Sequence, residues 1–130
     1  MSQEAVERLT KYCRERAGER LRSVVAYDRS GYELVFLRDD LQTRYDQERF
    51  DWLVERANTV HEEVYTAGGH DSPLGEAEAT VHYFENAFVV QLLMAADRGY
   101  LATFDSRVGK ALGAFIDNCL QHVQTGEQDD

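Results

Sequence analysis

Three turn signals constrain this chain more than any other feature of its sequence. Asp28-Arg-Ser-Gly31, Glu85-Asn86 and Asp97-Arg-Gly99 each separate two runs of β-branched and aromatic residues by only a few positions. Connections that short reverse the chain, so the runs they join pair antiparallel. The runs read as strands over 22–27, 32–37, 79–84, 87–94 and 100–104. Gly31 is placed to take a left-handed conformation in the first turn. The first two runs are apolar on both faces, which predicts a central place in the sheet with a layer packed on each side.

Apolar residues at helical spacing fill the gaps between the strand runs. The segment from Ser2 to about Arg20 carries Val6, Leu9, Cys13 and Ala17 on one face. Glu4 stands near its N-terminus, and Arg14, Arg16 and Arg20 stand near its C-terminus, each where the helix dipole favours it. A second helix is predicted from about Tyr45 to Thr66. Phe50, Leu53, Val54, Ala57, Val60, His61 and Val64 form its stripe, with Trp52 and Tyr65 off the stripe's centre. The last helix starts near Asp105 or Ser106 and has the most regular stripe: Val108, Ala111, Leu112, Phe115, Ile116, Cys119, Leu120 and Val123. Gly109 and Gly113 lie beside it and predict close packing on the sheet. Gly68-Gly-His-Asp-Ser-Pro-Leu-Gly75 reads as the one clear loop. The expected fold class is α+β, in the order α-β-β-α-β-β-β-α. A five-stranded, mainly antiparallel sheet carries helices on its faces. One domain spans 1–124, followed by an acidic tail, 125–130.

Charge narrows the function classes. Within 130 residues, 24 acids face 14 bases, a formal net charge of -10. A polyanion does not bind a polyanion through a basic surface, so nucleic acid is excluded as a partner, and anionic membrane surfaces are disfavoured. No apolar run approaches the roughly 20 residues of a membrane span, and the N-terminus is charged, so a cytoplasmic protein is expected. Lys11 and Lys110 are the only lysines; the other bases are arginines. Acids occupy the polar helix positions: Glu4, Glu7, Glu15, Glu48, Asp51, Glu55, Glu62 and Glu63. An ordinary acidic cytosolic protein accounts for this pattern. So does a halophile's protein, because molar salt screens repulsion within about 3 Å.

The element order resembles that of roadblock/LC7-type domains, relatives of the profilin and longin folds. The local likeness lies in Phe84-Glu-Asn-Ala-Phe-Val-Val-Gln-Leu-Leu93, Gly99-Tyr-Leu-Ala-Thr-Phe104 and Val108-Gly-Lys-Ala-Leu-Gly-Ala-Phe-Ile116. The loop at 68–75 departs from that pattern. Arg22-Ser-Val24, Tyr32-Glu33, Phe36-Leu-Arg-Asp-Asp-Leu41 and His82-Tyr-Phe-Glu-Asn86 also resemble small haloarchaeal proteins of unassigned function. The roadblock likeness implies a non-catalytic regulator or scaffold that dimerises by joining sheets and pairing middle helices. It places an interface on the helix at 45–66 and the strand at 79–84, with Trp52, Tyr65 and His82 as interface residues. Trp52 is either an exposed anchor there or packed on its own sheet edge.

Residues with catalytic or metal-binding potential give little. His61-Glu-Glu-Val-Tyr65 lacks the second histidine of a helical zinc motif, so His61 reads as a helix histidine on the apolar stripe. His70-Asp71 forms a loop pair, His82 stands alone on a strand, and His122 sits near a helix C-terminus. Cys13 and Cys119 lie on apolar stripes and read as buried structural thiols, free in a reducing compartment. Asp39, Asp40 and Asp46 lack calcium-loop spacing, and no phosphate loop is present. Tyr27, Tyr32, Tyr83 and Tyr100 read as packing residues on strands. No catalytic residue, metal or cofactor is expected. The reading is a non-enzymatic interaction module, homodimeric, with an unidentified protein partner. The alternative is a small-ligand sensory domain with a pocket between sheet and helix. A third option is a small enzyme using the His70-Asp71 loop.

Overall fold

The computed structural model describes residues 3–43, 47–67 and 72–129, with side chains described to residue 124. Helix α1 (Gln3–Ala17) ends in a short 3-10 turn at Gly18–Arg20. Gly18 there has φ +58°, a left-handed conformation in which glycine costs least. Strands β1 (Leu21–Asp28) and β2 (Gly31–Leu37) follow, then α2 (Gln47–Ala67). Strands β3 (Ala79–Tyr83), β4 (Ala87–Ala95) and β5 (Arg98–Asp105) complete the sheet, and a 3-10 turn leads into α3 (Lys110–Asp129). The five strands are ordered β2-β1-β5-β4-β3, and every neighbouring pair is antiparallel. The expected α+β class and element order are therefore those of the structure.

The sheet separates two apolar layers. On one face, Val6 and Cys13 of α1 pack with Val24, Ala26, Phe88, Tyr100, Ala102 and Phe104. On the other, Phe50, Val54 and Ala57 of α2 pack with Val25, Tyr27, Val89 and Leu101. Consecutive strand residues point to opposite faces, so β1 needs apolar side chains at nearly every position to serve both layers. Its buried run from Ser23 to Tyr27 meets that need.

Several expectations change. β2 is an edge strand with several exposed positions, although its sequence is as apolar as that of β1. At the border of the sheet its two faces are covered only in part. Gly31 has no positive φ. The hairpin is held instead by the Asp28 carboxylate, which accepts from the backbone N–H of Ser30 at 2.8 Å and of Gly31 at 3.0 Å. The Ser30 hydroxyl donates to the same carboxylate, and this bond, with the two backbone bonds, lowers the Asp28 pKa. Cys13 is buried as expected, and burial raises its pKa, but Cys119 is exposed. Gly109 and Gly113 do sit close to the sheet. An added methyl would meet the Phe88 ring at 3.0 Å and the Tyr83 hydroxyl at 2.9 Å. The stripe beside them is not covered: Leu112, Phe115, Leu120 and Val123 are all exposed.

Candidate interaction surfaces and the buried polar chain

The residues singled out from the sequence are in three different settings. Trp52 lies on the first half of α2 and is 63% exposed, so it does not pack on its own sheet edge. Tyr65 lies near the end of α2, partly exposed, with its ring stacked on His61 at 5.9 Å between centroids. His82 is half-buried on β3 and is not isolated: it bonds to Thr80 at 3.0 Å and to the Gln91 side chain at 3.1 Å. His122 bonds the Asn118 carbonyl within its own helix. His70, Asp71 and Asp46 lie outside the described residues. Among the described residues, no three His, Cys, Asp or Glu side chains gather as a metal site, and no helix is long and apolar enough to cross a membrane.

His82 belongs to a chain of buried polar groups under α2. His61 Nε2 lies 2.6 Å from the Ala95 carbonyl, which can only accept, so Nε2 carries a proton. Nδ1 is then the acceptor for the Tyr27 hydroxyl, also at 2.6 Å. Gln91 donates from Nε2 to the Tyr27 oxygen and to the Ala57 carbonyl, both at 2.8 Å. Its Oε1 faces His82 and Thr80. Burial pushes the Tyr27 pKa up to about 12, against a smaller lowering by Gln91. These bonds run from α2 to β1, β3 and β4, and buried groups so paired fix one arrangement of the layer. Gly99 completes it. A methyl there would run into the Leu92 carbonyl and the Tyr27 hydroxyl. The sequence marked His61 as a helix histidine; its partners, 34 residues away in the chain, gave no sequence signal.

A half-open cleft of about 1040 Å³ lies between the start of α2 and the sheet. Its lining includes Ser23, Val89 and Thr103. They face one another across β1, β5 and β4 in direct register. Phe50, Leu53 and Trp52 line it from α2; Leu41 and the Phe84-Glu-Asn86 turn line it elsewhere. Phe84 is 56% exposed. The Thr103 hydroxyl is buried and has no hydrogen-bond partner. Asp105 pairs with Arg22, which also lines the cleft, at 3.2 Å and with Arg38 at 2.9 Å. Arg38 also pairs with Asp40 and donates to the Glu19 carbonyl, tying the 3-10 turn after α1 to the segment after β2.

The third setting is α3. Gly109 rests on Phe88 of β4, and Gly113, one turn on, rests on Tyr83 of β3. β3 is the last strand of the sheet. The helix therefore crosses the edge of the sheet, and beyond Gly113 only Ile116 is even half-buried among residues up to 124.

Comparison with known proteins agrees with a small α+β domain without an assigned activity. A search of curated proteins finds no match. One family model, described as a domain of unknown function (DUF7522), matches residues 7–124. That span runs from the first turns of α1 into the exposed part of α3, so the chain belongs to the DUF7522 family.

Proposed function

We propose that this chain is a non-enzymatic regulatory or scaffold module that binds another protein and works as a homodimer. The observation that carries the reading is Trp52, 63% exposed, lining the same cleft as exposed Phe84. Exposed aromatics grouped around a concave surface are the usual anchors of a protein interface. Edge strand β3 lies next to this cleft and offers unpaired backbone groups, the requirement for joining two sheets. The element order supports the likeness to roadblock/LC7-type domains, and sheet-joined dimers are part of that likeness. The charge of -10, carried with only two lysines, supports a concentrated-salt cytoplasm as the setting. Any partner must meet an acidic surface through apolar contact or through its own basic patch. The test is a bait experiment from native cytosol at high salt. A protein retained by the wild type and lost with both Trp52→Glu and Phe84→Ser supports the reading. Retention unchanged by both removes the cleft as the partner site.

A second reading, a small-ligand sensory domain, is favoured by one feature of the same cleft. Its apolar walls border a volume at the upper end of small-molecule sites, with a few polar groups on the floor. Trp52 is the only tryptophan, so it reports on occupancy. Saturable energy transfer from Trp52 to an uncharged naphthalene dye such as prodan supports this reading; no transfer at any dye concentration removes it.

A further inference from the structure

From the placement of α3 we infer that a second copy of this chain covers it, and that each α3 crosses onto the partner's sheet. This rests on the homodimer reading above and deepens it by naming the contact. The first observation is the overhang: α3 passes over Phe88 and then Tyr83 and leaves the sheet at β3. The second is area. The open parts of Val108, Leu112, Phe115, Leu120 and Val123, from 36% to 67% of each residue, make an apolar patch of a few hundred Å². The largest apolar patch of a monomer, at about 300–600 Å², is often a functional surface, and a stable interface takes about 800 Å² per partner.

The third observation adds exposed apolar area on the sheet beside it. Val81 and Leu92 share a sheet face with Tyr83 and Phe88, because side chains alternate along each strand, and Met94 follows at the register shift between Leu93 and Ala95. Val81 and Met94 are exposed. Ala79 pairs with Leu92, so this apolar group lies towards the start of β3, while Tyr83 marks its end. When two β3 strands join antiparallel about a two-fold axis, the end of one meets the start of the other. The overhanging α3 then lands on the partner's Val81, Leu92 and Met94, and the reverse contact follows by symmetry.

Charge favours a second copy as the occupant. From residue 110 to 124, α3 carries only Lys110 and Asp117 as fully charged groups. It is thus the part of an acidic chain where two like-charged molecules approach with the least repulsion. The outer face of α2, by contrast, presents Asp51, Glu55, Glu62 and Glu63 against Arg56.

The test is a mixed dimer in molar salt. One copy is isotopically labelled and unmodified. The other carries a nitroxide on Gln121→Cys, placed away from the apolar stripe, in a Cys119→Ser background. Signals of Val81, Leu92 and Met94 in the labelled copy should broaden strongly. Phe115→Ser should raise the dimer dissociation constant at least about tenfold while leaving the sheet signals in place. A dimer without broadening at those residues, or one indifferent to Phe115→Ser, overturns the α3 contact and leaves the homodimer reading standing. A monomer by light scattering at millimolar concentration overturns both.

Discussion

In α2, the stripe Phe50, Val54, Ala57 and His61 is buried against the sheet, and Asp51, Glu55, Arg56, Glu62 and Glu63 face outward. In α3, the glycine side faces the sheet, and Leu112, Phe115, Leu120 and Val123 face outward. Both helices are amphipathic in sequence by the same 3.6-residue rule. The difference lies in what each stripe has to pack on. α2 lies over a broad apolar layer and is further held by a hydrogen bond from His61 to the Ala95 carbonyl and one from Gln91 to the Ala57 carbonyl. α3 comes close to the sheet where the absence of side chains at Gly109 and Gly113 permits contact, and then passes its edge. A stripe buried within the chain stabilises the fold; a stripe left open is available for association.

The comparison is tested first where the cost should be greatest, under α2. Gly99→Ala puts a methyl against the Leu92 carbonyl and the Tyr27 hydroxyl and should cost about 3 kcal/mol or more, read as a lower denaturation midpoint. A loss below about 1 kcal/mol would mean that the layer relaxes easily. His61→Ala comes next, at about 2–4 kcal/mol, because it opens a cavity, leaves the Tyr27 O–H without its acceptor and takes the His61 donor from the Ala95 carbonyl.

A pH titration examines the same layer without a cavity. The Tyr27 pKa is raised by burial to about 12. The native state thus keeps its proton where the unfolded chain, at about 10, loses it. Stability is complete below pH 10 and falls as pH rises to 12, by about 2–3 kcal/mol. Tyr27→Phe should flatten that alkaline slope; an unchanged slope would assign the loss to other groups.

The smallest effects belong to the open surfaces. Phe115→Ser or Leu120→Ser, measured on dilute monomer, should change stability by no more than about 0.5 kcal/mol, since little burial is lost. A loss matching that of His61→Ala would show that α3 packs within its own chain. Thr103→Val removes a buried hydroxyl without a partner and should leave stability unchanged or raise it by up to about 1 kcal/mol. Both helices carry the charge question. Melting temperature should rise by about 10 °C or more from low to molar salt, and a flat response would leave -10 as ordinary acidity.

The order of elements was legible because each rests on local chemistry: alternating β-branched runs, short turns and helical stripes. β1 and β2 read alike in sequence, and only the sheet order separates a central strand from an edge strand. The hydrogen-bonded chain through Tyr27, His61 and Gln91 was not legible, because its partners meet only after the sheet and α2 have packed. Gly99 read as a turn residue, yet its role is to let the Leu92 carbonyl and Tyr27 approach from elsewhere in the fold. The roadblock likeness points to Trp52, Tyr65 and His82. The structure sets Trp52 in a cleft, Tyr65 on His61 and His82 beside Gln91, so they do not form one cluster. Cys119 was expected inside because it lies on an apolar stripe, and a stripe does not say what covers it.

The most direct test is hydrogen exchange of the α2 and α3 amides in molar salt over a wide range of protein concentration. Protection in α2 should not depend on concentration, because its stripe is buried within one chain. Protection from Ala114 to Gln124 should rise as the dimer forms and vanish on dilution. Protection of α3 that stays constant across the range, or that never appears while the dimer is present, would contradict the account.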